Sequence, residues 1–281
     1  LPLSPQNLQG ENKDITDNYK CLVASIHTLL NTDIAEPKIV IIDEVHYAYE
    51  SSLIQSLFTK FPNAYFIGLS ATPIDDRGFL LDGFNSLIDD YETKDLTDLG
   101  FLTPFECYSP MSIDLSDVKI KGDDYDNKEL ETVINRININ NSIVDNYIEL
   151  GQNRTFICFA VNKNHCKELA ECFINKGIKV GVITAETKDK QREKLIKDLH
   201  NGIIKGLISI EILTAGFDEP LVSCVIFATA TKSWKKYIQC AGRGIRLIGL
   251  NINESIANGK SNCILLDCCE NIKEHGLPNE R

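Results

Sequence analysis

The chain has 281 residues, of which 43% are hydrophobic and 25% charged, with a formal net charge of −11; this is the balance of a globular chain with apolar mass for about two cores of ordinary size. No apolar run reaches the roughly 18 residues of a spanning helix, and Leu1-Pro2-Leu3-Ser4 lacks a basic stretch leading into an apolar one, so neither a membrane partner nor a signal peptide is expected, and a reducing cytoplasmic location is. Residues 1–104 hold 6 Lys/Arg against 16 Asp/Glu and residues 105–281 hold 23 against 24, so the acidic total does not exclude a polyanionic partner for the second half.

In chain order, short apolar runs alternate with amphipathic stretches of helix length, which predicts α/β architecture with parallel sheets. Lys38–Asp43 (KIVIID) reads as a buried strand, Ser51–Phe61 as a helix and Tyr65–Ser70 (YFIGLS) as a second buried strand. Residues 106–128 are polar, contain Gly122-Asp123-Asp124, and read as the crossing between two α/β units. Beyond them the strands are Thr155–Ala160, Lys179–Thr184, Gly206–Ile210, Cys224–Thr229 and Asn262–Asp267, with helices over 139–150, 163–176, 187–200 and 232–241. Near-continuous Val/Ile/Leu runs suit strands covered on both faces. The ten cysteines are scattered without a CxxC pair, several of them inside these runs. They read as reduced thiols packed as small hydrophobes, with zinc as the sharper alternative.

Four clusters carry chemistry. Asp43-Glu44-Val45-His46 follows a strand directly, where open α/β sheets bind ligands. Two adjacent carboxylates there can divide nucleotide hydrolysis, one holding Mg²⁺ and the other polarising the attacking water; the plain alternative is a helix N-cap. Ser70-Ala71-Thr72-Pro73 ends the next strand, and alone it is a Ser/Thr turn stopped by proline. Gly216-Phe217-Asp218-Glu219-Pro220 follows a later strand. Gln239-Cys240-Ala241-Gly242-Arg243-Gly244-Ile245-Arg246 closes a helix, where arginines also suit the macrodipole. Each plain alternative serves singly, but the ordered set is far less expected by chance.

Together these residues resemble superfamily 2 helicases of the DExH type, in the group of RadD-like repair helicases and type III restriction motor subunits. Asp43–His46 looks like motif II, Ser70–Thr72 like motif III, Gly206–Pro220 like motif V and Gln239–Arg246 like motif VI. Val23–Leu29 looks like motif Ib and Phe156–Phe173 like motif IV. Leu266-Asp267 with Asn271 and His275-Gly276-Leu277-Pro278 resembles the end of the second domain. The resemblance implies two RecA-like domains with parallel sheets, the first one incomplete: domain 1 over 1–105, a crossing over 106–128 and domain 2 over 129–281. It implies ATP and Mg²⁺ as cofactors, with Asp43 as metal ligand and Glu44 orienting the water. His46 with Gln239 would link the nucleotide to the domain interface, and Ser70 and Thr72 would couple hydrolysis to nucleic-acid grip. Arg243 and Arg246 would be arginine fingers, Gly216 and Asp218 would contact the nucleotide or the interface, and Ser25, Thr28, Asn162 and His165 would contact nucleic acid, DNA in preference to RNA.

Three departures stand out. No GxxxxGK[ST] phosphate loop occurs before Asp43, and the triplet Gly259-Lys260-Ser261 precedes a strand instead of following one, so it reads as a turn. With Met111 as the single methionine, the expectation is a fragment whose loop and accompanying part of domain 1 lie upstream, and which alone does not hydrolyse ATP. Thr229-Ala230-Thr231 stands where relatives have Arg-Pro-Thr. Trp234 and Tyr237 are candidates for base stacking, though core packing is the commoner role of such residues on a helix. The functional expectation is an ATP-dependent helicase or translocase motor. The alternatives are an inactive nucleic-acid-binding scaffold with the helicase fold, and a restriction motor subunit with a separate nuclease domain.

Overall fold

The computed structural model describes residues 6–8 (backbone only), 21–45, 53–70, 83–210 and 217–280. They fall into two compact units, Leu1–Asp89 and Asp90–Arg281.

In the first unit, β1 (Gln6–Leu8) pairs in parallel with β2 (Leu22–Ala24), and β3 (Ile39–Ile42) with β4 (Tyr65–Gly68). Between β2 and β3 runs α1 (Ile26–Leu30), whose first turn is capped by Ser25. Helix α2 (Leu53–Lys60) buries Ile54 and Leu57 in a cluster with Val40, Ile42, Val45 and Phe61. Its last residue, Lys60, donates to the Leu29, Leu30 and Thr32 carbonyls at 2.9, 2.9 and 2.6 Å, satisfying the open end of α1 and tying the two helices together. Both strands were expected to be buried, yet Ile39, Ile41, Tyr65 and Ile67 are exposed. Side chains alternate across a strand, and among the described residues the face bearing Val40 and Ile42 is the covered one.

The second unit has one six-stranded parallel sheet in the order β5 (Phe105–Tyr108), β12 (Cys263–Asp267), β11 (Cys224–Ala228), β8 (Phe156–Ala160), β10 (Gly206–Ser209) and β9 (Val180–Ile183). Every residue of β8, β10, β11 and β12 is buried, as parallel strands between helical layers require. One face packs Phe156, Cys158, Ile226 and Leu266 against α4 (Asn127–Ile134), α5 (Ile137–Leu150) and α6 (Lys163–Asn175) through Leu130, Tyr147, Leu169 and Phe173. The other packs Ile157, Phe159, Val225 and Leu265 against α7 (Asp189–His200) and α8 (Trp234–Ala241) through Leu199, Tyr237 and Cys240. Eight of the ten cysteines are buried, as small core residues; Cys21 is exposed and Cys107 half-buried.

The predicted strands and helices of this unit form to within two residues at each end. The domain boundaries do not. Residues 90–105 belong to the second unit and hold α3 (Thr93–Asp98): Thr103 donates from both its amide and its hydroxyl to the Ile245 carbonyl, at 2.9 and 3.2 Å, and β5 is an edge strand beside β12. Segment 106–128 is likewise no bare crossing. It contains the hairpin β6 (Ile120–Lys121) and β7 (Asp124–Tyr125) and puts Ile113 and Val118 into the core. The Asp124 carboxylate accepts from the Thr231 hydroxyl and the Lys232 amide, each at 2.7 Å. Composition misleads here because a polar strap needs only a few apolar anchors to be part of a core.

Candidate functional site

In the first unit, Asp43 and Glu44 stand at the carboxyl end of β3. Asp43 is exposed, and one of its oxygens accepts the Glu44 amide at 3.0 Å. Glu44 has φ +47°, the left-handed region that costs a residue with a Cβ roughly 1–2 kcal/mol. Val45 is buried and donates to the Leu69 carbonyl at 3.0 Å, while Leu69 donates to Ile42 at 2.8 Å. The two strand ends are thereby locked side by side, and Ser70 is brought next to the turn carrying both carboxylates. His46 and Thr72 lie outside the described residues, as does Gly216. An open carboxylate with one oxygen turned back on the chain is a donor fit to hold a hydrated hard cation.

In the second unit, α8 starts at Ser233, whose hydroxyl accepts the Lys236 amide at 3.3 Å. Gln239 is half-buried on that helix. Just past its end, Arg243 and Arg246 both donate to the Phe217 carbonyl, at 3.1 and 3.0 Å, and Arg246 pairs with Asp218 at 2.6 Å. Residues 217–218, 243 and 246 thus form one constellation. It lies by the amino ends of β11 and β12, since a Cβ on Gly244 would stand 2.3 Å from Cys263 Sγ and 2.7 Å from Val225 Cγ2. Only glycine permits that approach between the two arginines. Asp218, expected at a nucleotide or an interface, is the counter-ion of Arg246 here. Two members of the surroundings went unrecognised in sequence: Glu219, buried and accepting from the Leu221 amide at 3.2 Å, and His200, whose Nδ1 lies 3.0 Å from it. The Glu219-Pro220 pair beside Asp218 was the available signal.

The candidate nucleic-acid residues separate. Ser25 Oγ accepts the Thr28 amide at 3.2 Å and lies 2.9 Å from the Thr28 hydroxyl, a capping pair at the surface. Asn162 caps α6 through the His165 amide at 2.9 Å. His165 itself is corrected: it is fully buried. Its Nδ1 accepts the Val161 amide at 3.2 Å, so Nε2 carries the hydrogen and donates to Asn140 Oδ1 at 3.0 Å. Burial lowers its pKa to about 4. It is a neutral core histidine, and no ring atom is left for a phosphate. Tyr237 is also buried, with its hydroxyl on the Gly276 carbonyl at 3.1 Å, and half-buried Trp234 packs beside it and His275. The segment Thr229–Thr231 is held by the chain end: Asn271 donates to Thr229 O at 2.9 Å and accepts the Thr231 amide at 3.0 Å, and His275 Nε2 lies 2.8 Å from Thr231 O. Among the described residues no group of three or more His, Cys, Asp or Glu side chains forms a metal site, and no helix is long and apolar enough to cross a membrane.

Two families match this chain: the helicase conserved C-terminal domain over residues 139–247, and the res subunit of type III restriction enzymes over residues 3–75. Among curated proteins it is 27% identical over 246 residues to a 51.5 kDa protein of a Lactococcus phage, covering 87% of this chain and 52% of that protein. It is 30% identical over 259 residues to IRC3 of Saccharomyces cerevisiae, assigned as an ATP-dependent helicase, covering 83% and 36%. The chain thus spans about half or less of the length of these relatives. Among solved structures, a fragment assigned as the HsdR subunit of a type I restriction enzyme from Vibrio vulnificus YJ016 superposes with TM-score 0.69 at 19% identity, over 98% of this chain and 52% of that one. Dbp5 of S. cerevisiae, bound to RNA and ADP BeF3, superposes with TM-score 0.60 at 16% identity, over 95% and 64%. At those identities the likeness is one of fold.

Proposed function

The chain belongs to superfamily 2 of the helicases, and on that premise we propose that it serves as part of an ATP-driven helicase or translocase motor acting on nucleic acid. The observation that supports this most is the convergence of Arg243 and Arg246 on one carbonyl, with Asp218 attached. Two guanidinium groups are thereby pre-positioned on a rigid parallel sheet. Phosphoryl transfer needs fixed cations where charge develops on the transferring group, and an arginine placed there is worth about 10³–10⁵ in rate. Asp43 would hold Mg²⁺, which would neutralise charge on the phosphate oxygens. Glu44 would accept a hydrogen bond from the attacking water and set its direction. Ser70, just past the end of β4, and Thr72 would pass the state of that site to the nucleic-acid contacts. His46 and Gln239 would do the same for the arginine-bearing unit. Gly216 and Asp218 would meet the nucleotide, which requires Asp218 to give up Arg246. Ser25, Thr28 and Asn162 remain as nucleic-acid contacts, with DNA favoured over RNA. The helicase assignment of IRC3 and the RNA in the Dbp5 structure lend support to a nucleic-acid partner. No GxxxxGK[ST] lies within residues 1–281, so the motor needs a phosphate loop that these residues do not supply.

The test is ATP hydrolysis by the full-length gene product with single-stranded DNA, duplex DNA and RNA. Hydrolysis stimulated by one of these is expected. Glu44→Gln and Arg243→Ala should each lower kcat by at least about a hundredfold, with circular dichroism unchanged. Full turnover in either variant would overturn the assignment. Nucleic-acid binding with no turnover in the wild type would favour the scaffold reading, which the absent loop motif supports.

A further inference from the structure

Lys260, the lysine of the Gly-Lys-Ser triplet, plays no part in that motor chemistry, yet it is only 2% exposed. Its backbone is fixed by the end of α9 (Ile252–Ala257). Gly259, at φ +88°, donates to Ile256 O at 2.9 Å, and Lys260 donates to Ser255 O at 2.8 Å. This pair of bonds closes a helix on a left-handed glycine. The buried Ser255 hydroxyl then donates to Lys260 O at 2.8 Å and accepts the Ile248 amide at 3.2 Å. Held on both sides, Lys260 sends its side chain inward, where the ammonium donates to Pro220 O at 2.8 Å and Val222 O at 2.6 Å.

These two carbonyls belong to the turn that follows Phe217 and Asp218. Glu219 stabilises the same turn, its carbonyl accepting the Val222 amide at 3.1 Å and its carboxylate taking the Leu221 amide and His200. A buried ammonium is rare unless its donors are met, and here two of the three are met by the backbone of this one turn. We propose that Lys260 is the positioning residue for Arg243 and Arg246: by clasping the Pro220 and Val222 carbonyls, it fixes the turn and, just before it, the Phe217 carbonyl that both guanidinium groups meet and the Asp218 carboxylate that Arg246 meets. Burial, reinforced by repulsion from Arg246 and Arg154 and opposed by Cys263 and Glu219, lowers its amine to about 8, which agrees with a cation enclosed beside the arginines. The clasp stands on geometry alone; its effect on turnover rests on the ATPase reading.

Two measurements separate these. In the 281-residue chain, amide hydrogen exchange of Leu221 and Val222 should quicken by about tenfold or more in Lys260→Met, through local opening, while amides of β8 and β12 keep their rates. In the full-length gene product, the same substitution should lower kcat for ATP by about a hundredfold, the effect of a small displacement of a group acting in the transition state, with KM for ATP nearly unchanged. Unchanged exchange at Leu221 and Val222 would overturn the clasp. A loosened turn with kcat intact would overturn the positioning role. If the wild-type product hydrolyses no ATP, the motor reading fails and exchange alone decides the clasp. Should Lys260→Met not fold, Lys260→Gln, which keeps two donors on a shorter stem, is read in the same two ways.

Discussion

His165 is closed between a backbone amide and Asn140, and its ring nitrogens are both spoken for. Because burial holds its folded-state pKa near 4 instead of 6.5, the unfolded chain takes up a proton first as pH falls. Stability is therefore complete above pH 6.5 and is lost between 6.5 and about 4. The loss is about 3 kcal/mol, since each tenfold difference in proton affinity between the two states is worth about 1.4 kcal/mol. Urea unfolding followed by the fluorescence of Trp234, the single tryptophan, reports on the second unit. Its dependence on pH between 6.5 and 4 should flatten in His165→Gln relative to wild type; an equal slope in both proteins would refute the burial argument. At the same scale, Asp218 and Arg246 form a half-exposed pair, and such pairs contribute little to stability. Their importance is to hold a cation ready where it can be exchanged for a more negative partner.

The element that organises the second unit's chemistry is α8 with its exit. Its start is held by Asp124 and the Asn271 and His275 side chains, and its exit by the Phe217 carbonyl. Between Arg243 and Ile245 the backbone passes so close to β11 and β12 that Gly244 has no room for a methyl group. Gly244→Ala should therefore destabilise the unit by about 1–3 kcal/mol, the usual effect of overpacking. It should also move both arginines, so the urea midpoint and kcat should fall together. A neutral substitution would mean that the strands yield more readily than close packing allows. The short α9 shows the same logic: its glycine-terminated end was legible as a turn, but the destination of the lysine after it was not.

For the whole molecule, the buried thiols set an alkaline limit. Burial raises the pKa of Cys158, Cys224 and Cys269 well above the usual 9.0 and pushes those of Cys166 and Cys263 up to about 12. A group whose folded pKa is raised gives its full stability below the unfolded value and loses it above. Lys260, lowered from 10.5 to about 8, works in the opposite sense between those values, but it is one group against several thiols. The thermal midpoint of the chain under reducing conditions should hold to about pH 9 and then fall, and a flat profile to pH 11 would contradict the burial of these thiols. The sequence by itself determined most of the alternation of strands and helices, because a parallel sheet between two helical layers writes near-continuous apolar runs into its inner strands β8, β10, β11 and β12. It also determined the family, through Asp43-Glu44, Ser70 and the Arg243–Arg246 segment in order. Only the tertiary structure decided that residues 90–128 join the second unit, that His165 is core, that Asp218 faces Arg246, and that Lys260 turns inward. Each of those depends on a partner far away in the chain, such as Thr103 with Ile245 or Lys260 with Pro220, and local pattern carries no information about which distant carbonyl a buried donor will meet.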